Sequence, residues 1–181
     1  MSILIQSNSP ESEKLLNQQS AGQQFLKFLL HPQTKLGLPI KQITEVLKIQ
    51  FGQIVPLPQM PPWVMGVYNW RGDILWIVDL GHLLGLDSWY QRHYPNYTAI
   101  VLSPYRHESE QRQQIHLGLV VARIEDLETI APQQLQSTLS SPQSTELDQF
   151  LQGYWLKPDG EIILALDGQA IAAAMPTNHS N

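Results

Sequence analysis

The apolar residues of this chain fall in short runs, and each run is cut off by Pro, Gly, Asn or Asp before it can go far. No apolar stripe keeps a 3.6-residue period for long. Short apolar runs bounded by turn formers indicate β-strands joined by tight connections. The pattern predicts an all-β sandwich or barrel with short helices only.

Taken in order, Gln24–Leu30 reads as a strand, and His31–Thr34 as a turn in which Pro32 presets φ. Leu36, Leu38 and Ile40 then alternate with Lys35, Gly37 and Pro39, which turns one face to a core and completes a hairpin. Pro39 has no N–H to give and marks an edge or a strand end. Ile43–Ile49 predicts another strand. Pro56–Trp63 (P-L-P-Q-M-P-P-W) is an extended link over the surface. Val64–Tyr68 and Asp73–Leu80 flank Asn69-Trp70-Arg71-Gly72 and predict a second hairpin. Ile74–Val78 is apolar at every position, which predicts burial on both faces. Asp79–Leu86 suits a short helical turn, with Asp79 at its start and Gly85 at its end.

Tyr97–Leu102 and Ile115–Ala122 predict a strand pair around the polar loop Tyr105–Gln114, with Leu117, Leu119 and Val121 on one face. Gln136–Glu146 is rich in Ser and Gln and reads as a loose loop. Glu161–Leu166 is a late strand, with Ile162, Leu164 and Leu166 on one face, and Asp167–Met175 a closing helix. Residues 1–21 and 176–181 are polar tails around a domain spanning 22–175. No internal repeat stands out.

Composition narrows the function. Of 181 residues, 43% are hydrophobic and 15% charged, which supports a packed core in one domain or two small lobes. A net charge of -5 gives no general attraction to nucleic acid or to an anionic membrane surface. The absence of cysteine excludes disulfides, thiol chemistry and cysteine zinc sites. The six histidines are scattered, with no i, i+4 pair, so no metal or cofactor is predicted. Nucleotide-binding glycine motifs and the hydrolase elbow are missing. No apolar run approaches the ~20 residues that span a bilayer, and Met1–Gln19 lacks the features of a secretory leader; the cytoplasm is the predicted address.

Two constellations hint at other functions. Asp73, Asp79 and His82 cluster in sequence and could serve acid–base work in a small hydrolase. Against this, both aspartates sit where strands begin or end, ordinary places for bonds to local backbone. Trp63, Trp70, Trp76, Trp89 and Trp155 could form a stacking platform for a nucleic-acid-binding barrel, but the basic groove that accompanies such platforms is missing. Trp76 lies in a continuous apolar run and reads as core, and Trp63 as packing for the link. Trp70 stands in a polar turn, and two readings stay open: contact with a partner, or folding back onto its own barrel.

The segment Pro56–Leu80, P-L-P-Q-M-P-P-W-V-M-G-V-Y-N-W-R-G-D-I-L-W-I-V-D-L, closely resembles the signature of CheW-like domains: a proline-containing link, a strand, G-V-x-N-L-R-G, and a strand ending V-D-L. Gly22–Ile49 resembles the family's opening with its V-x-E-V segment. Leu117–Ile130 resembles its L-G-L-V-V-D segment, and Leu151–Ile171 its close. The resemblance implies two five-stranded SH3-like barrels packed around a shared core, with no active site. It implies two partners, the CheW-like regulatory domain of a CheA-type histidine kinase and the hairpin tip of a methyl-accepting receptor, the latter held in a groove between the barrels. The positions matching the family's receptor contacts are Ile43, Glu45, Val46, Asn69 and Arg71. Gly72 matches in a backbone role, and Trp70 stands among them. The chain departs from the pattern at Trp70, where the family has Leu, and at Val121-Ala122-Arg123, where it has V-D-G.

Overall fold

The alternation seen in the sequence becomes a fold of strands. The computed structural model describes residues 22–30, 33–88, 94–103, 115–137 and 146–176. Among them, β1 (Gln23–Leu30), β2 (Thr34–Pro39), β3 (Ile43–Gln50), β4 (Val64–Trp70) and β5 (Asp73–Asp79) lead to a single helical turn, α1 (Leu80–Leu83). Then come β6 (Asn96–Leu102), β7 (His116–Val121), β8 (Arg123–Ile130), β9 (Leu151–Leu156), β10 (Ile162–Leu166) and the short helix α2 (Gly168–Ala173).

The strands form two five-stranded sheets. Lobe one has the order β8-β1-β2-β10-β9, and lobe two the order β3-β6-β7-β5-β4. The chain starts lobe one with the β1–β2 hairpin, crosses at Ile40–Gln42 to build lobe two from β3 to β7, and returns through β8 to finish lobe one. Gln42 ties the crossing. Its carbonyl accepts from the Ser103 N–H at 2.8 Å, and its side-chain Oε1 from the Gly168 N–H at 2.9 Å.

The two lobes are built alike, as the family resemblance implies, although no internal repeat stands out in the sequence. Each contains one parallel pair, β5 with β7 and β2 with β10. Each rolls up through one bridge beyond its first edge strand. Val55 exchanges backbone hydrogen bonds with Val67 of β4, and Gln136 exchanges them with Tyr154 of β9. In both, a three-residue 3-10 turn precedes the bridge, and a glutamine at its end (Gln53, Gln134) accepts from the backbone N–H where the turn begins. The bridge passes so close that only glycine fits opposite. A Cβ on Gly66 (φ 143°) would lie 2.2 Å from the Val55 carbonyl oxygen, and one on Gly153 (φ 158°) 2.4 Å from that of Gln136.

Among the described residues, three apolar clusters hold this frame. Phe28, Leu36 and Leu38 of lobe one meet Ile100, Leu117 and Leu119 of lobe two in a shared core. Ile49, Leu75, Ile77 and Val101 fill lobe two, and Phe25, Trp155 and Ile163 fill lobe one. Side chains of this size gain roughly 1.5–3 kcal/mol each on full burial, so the shared core binds the lobes together. Its strands alternate accordingly: Leu117, Leu119 and Val121 face it, as the sequence indicates. Lys27 is the exception in the middle of β1. Its side chain is only 6% exposed and meets Asp126 at 2.9 Å and Glu128 at 3.0 Å. Burial pulls its ammonium down, but hydrogen bonds to the two carboxylates outweigh that and hold it above the ordinary lysine range.

Several expectations need correction. Ile74 is 64% exposed and Trp76 only partly buried, so burial on both faces of β5 is reached only from Ile77 onward, because the strand runs past the edge of the core. β8 and β9 were not read as strands from their residues. Gln136 is tied to β9 rather than loose. Of the two alternatives for Pro39, the strand end holds: it closes β2, which lies inside its sheet between β1 and β10. The tails 1–21 and 177–181, the loop Tyr105–Gln114, residues 138–145, His31, Pro32 and Trp89 lie outside the described residues.

Candidate functional site

The N-W-R-G segment forms the β4–β5 hairpin, with Trp70 opposite Asp73 across a two-residue turn. Both turn residues have positive φ, 55° at Arg71 and 91° at Gly72. Such a turn matches the right-handed twist of the strands, and it suits Gly or Asn far better than Arg. Asn69 stabilises it, its Oδ1 accepting from the Gly72 N–H at 3.1 Å.

On β3 a bulge between Ile43 and Glu45 sets which face each residue takes. Ile43 lies opposite Leu102 and Val46 opposite Ile100, on the face toward the shared core. Ile43 is partly buried against that core, whereas Val46 is 42% exposed. Glu45 lies opposite Val101, whose side chain belongs to the interior of lobe two. β3 and β4 are the two edges of their sheet, and rolling brings them together. The Trp70 indole N–H donates to Glu45 Oε1 at 2.8 Å, and Arg71 Nη2 lies 2.9 Å from the same oxygen. The guanidinium carbon stands 5.4 Å from the Trp70 ring centroid. His116, at the start of β7, contacts the same indole, centroid to centroid at 5.0 Å. Glu45 is 25% exposed, whereas the Arg71 side chain is 69% exposed and turns most of its fork to solvent.

Glu45, Asn69, Trp70, Arg71 and Gly72 therefore gather into one cluster, while Ile43 and Val46 occupy the other face of the same strand. Trp70 folds back on its own barrel, the second of the two readings. His116 was missed: its place behind the indole depends on the parallel pairing of β5 with β7, for which no local signal exists.

The other constellations do not assemble. Asp73 and Asp79 stand at opposite ends of β5, roughly 20 Å apart at about 3.3 Å per residue. Asp79 is buried and caps α1: its Oδ1 accepts from the His82 N–H at 3.1 Å and its Oδ2 from the Ser88 hydroxyl at 3.1 Å. Trp63 and Trp76 pack against the shared core, and Trp155 is buried in lobe one, so the described tryptophans offer no stacking platform.

A family model for the CheW-like domain matches residues 24–175. This chain belongs to the CheW-like domain family. Its fold is that of the scaffolding protein TtCheW from Thermoanaerobacter tengcongensis, with a TM-score of 0.64, 22% identity, and 81% of this chain and 89% of that one covered. The two lobes are thus the SH3-like barrels of the CheW fold. Over 46 residues the chain is 41% identical to Protein FrzA of Myxococcus xanthus, a match spanning 25% of this chain and 28% of FrzA. The family is that of CheW-like adaptors of the chemotaxis scaffold type. None of its described helices is long and apolar enough to cross a membrane.

Proposed function

We propose that this CheW-like protein couples methyl-accepting-type receptors to a CheA-type histidine kinase, and that Ile43, Glu45, Val46, Asn69, Trp70, Arg71 and Gly72 form its receptor-facing surface. The observation that carries the reading is the convergence of Trp70 and Arg71 on Glu45. Glu45 of one segment and Asn69–Gly72 of the other lie far apart in sequence, and they meet here in one cluster whose Arg71 is 69% exposed. Exposed arginines backed by aromatic rings are typical of protein interfaces. The exposed Val46 offers an apolar contact to a helical hairpin. On this reading the protein works in the cytoplasm, beside receptor arrays at the membrane.

The test is a pull-down and titration of the purified chain against the CheW-like regulatory domain of its kinase and against the receptor's cytoplasmic tip. Both are expected to bind. Arg71→Glu should weaken receptor binding and leave the melting temperature nearly unchanged, since surface substitutions stay within about 0.5 kcal/mol. Two folded partners that ignore the chain would refute the assignment, and a large loss of stability would make Arg71 a structural residue.

A further inference from the structure

We propose that Trp70 is a positioning residue, one that locks Glu45 and Arg71 into a single preorganised unit so that the partner meets a guanidinium already held in place. The inference rests on the receptor-facing reading of Arg71 and gives this chain's departure from the family pattern a physical role.

Three contacts carry it. The indole N–H and the guanidinium share one carboxylate oxygen, at 2.8 and 2.9 Å. The guanidinium stands 5.4 Å from the indole centroid, within reach of a cation–π attraction. His116 and the interior of lobe two hold the indole itself. A stiff side chain with two torsions is thus anchored in the barrel, and it restrains two long flexible ones. Arginine gives up much rotamer freedom when a partner captures it, and restraint beforehand moves that loss from binding to folding. Leu, the family's residue here, could fill the space but could neither donate to Glu45 nor offer a π face to Arg71. The unoccupied edge of the fork is left for an oxygen acceptor on the partner, a carboxylate or a backbone carbonyl.

The experiment has two arms and uses the full chain. In the first, the {1H}–15N NOE of the Arg71 Nε–Hε group is measured in the free protein. It is expected to fall toward flexible values in Trp70→Leu and less far in Trp70→Phe, which keeps a ring but loses the N–H. In the second, a receptor cytoplasmic-tip fragment is titrated with the parent, Trp70→Leu, Arg71→Ala and the double variant. Trp70→Leu should weaken binding about 5- to 10-fold when Arg71 is present and less than about 2-fold when Arg71 is already Ala. Equal losses in both backgrounds would mean that the ring touches the partner directly, and an unchanged Arg71 NOE would mean that it holds nothing; either overturns the proposal. Should Trp70→Leu melt early, Trp70→Phe and Glu45→Gln replace it in both arms. If Arg71→Ala binds as well as the parent, the receptor-facing reading of Arg71 fails instead, and the NOE arm alone still decides whether Trp70 holds the side chain.

Discussion

Lobe one carries Asp126 four residues before Ile130, which ends its edge strand β8; lobe two carries Glu45 four residues before Ile49, at the corresponding place on β3. Both acids sit at a bulge, Asp126 within it and Glu45 at its edge. In lobe one the neighbouring strand supplies Lys27, and Asp126 is met at 2.9 Å. In lobe two the matching position on β6 is Val101, which has nothing to donate. Glu45 draws its donors instead from the hairpin tip, where Trp70 and Arg71 reach it. The tips differ in the same sense. Lys35 stands just before Leu36-Gly37-Leu38 on β2 and binds Glu161 of the β9–β10 hairpin, holding that carboxyl below the usual range. His116 stands just before Leu117-Gly118-Leu119 on β7 and packs against Trp70. Lobe one satisfies its charges within the barrel, whereas lobe two satisfies Glu45 by folding its hairpin tip across the seam. That arrangement leaves Arg71 both tied and exposed.

The comparison breaks first if the two closures are unequal. Gly66→Ala and Gly153→Ala would each drive a Cβ into a bridging carbonyl while keeping a backbone conformation that L side chains rarely adopt. Each should cost at least about 2 kcal/mol, measured by urea denaturation. A large loss for one and none for the other would show that only one lobe depends on its bridge.

These equivalences explain what the sequence could convey. Hairpins flanked by Asn, Gly and Pro were legible, as was the cap Asp79, because local backbone chemistry sets them. β8 was not, since its apolar residues Ile124, Leu127 and Ile130 recur every third position, and Leu127 is exposed on the edge of its sheet. The two barrels were implied by the family resemblance, but no repeat was legible in the residues, because the likeness of the lobes resides in backbone geometry. Gly66 and Gly153 play the same part among unlike neighbours, and the parallel pairings that define each lobe join strands far apart in the chain. The candidate site was legible as a list of residues through the family resemblance. The link from Trp70 to Glu45 and His116 was not, because it depends on how the sheet rolls.

The next largest effect should separate the lobes. Lys27→Met removes the cation that serves Asp126 and Glu128 and leaves two carboxylates to find water. Asp126 is already 64% exposed, so the loss should be moderate, about 1–2 kcal/mol in chemical denaturation. The hydrogen-bonded Lys27 has its pKa raised on folding, so its contribution is complete below the unfolded value of about 10.5 and fades only as pH climbs through the higher folded value. The gap between parent and variant should therefore hold constant from neutral pH to about 10. Receptor-tip binding should not change, because the Glu45 cluster lies in the other lobe. A parallel loss of binding would mean that the lobes are coupled through the shared core.

The smallest expected effect on stability is the most informative about the site. The β9–β10 tip places Gly160 at its positive φ of 87°, with the Gly160 N–H donating to the Lys157 carbonyl at 2.9 Å. The β4–β5 tip places Arg71 at a φ of 55°, a conformation that costs an ordinary side chain about 1–2 kcal/mol. Asn tolerates that conformation, so Arg71→Asn should relieve part of the strain. The variant gives up an exposed ion pair worth about 0–1 kcal/mol and a cation–π contact of similar size. The terms nearly cancel, and the midpoint of denaturation should move by less than about 0.5 kcal/mol in either direction, while receptor-tip affinity falls. A residue whose replacement leaves the fold as stable as before and removes binding is one that stability does not require at that position. If Arg71→Asn instead unfolds the protein early, the Glu45 ion pair is a closure element of lobe two, equivalent to the Lys27 pairs of lobe one, and the contrast between the lobes disappears.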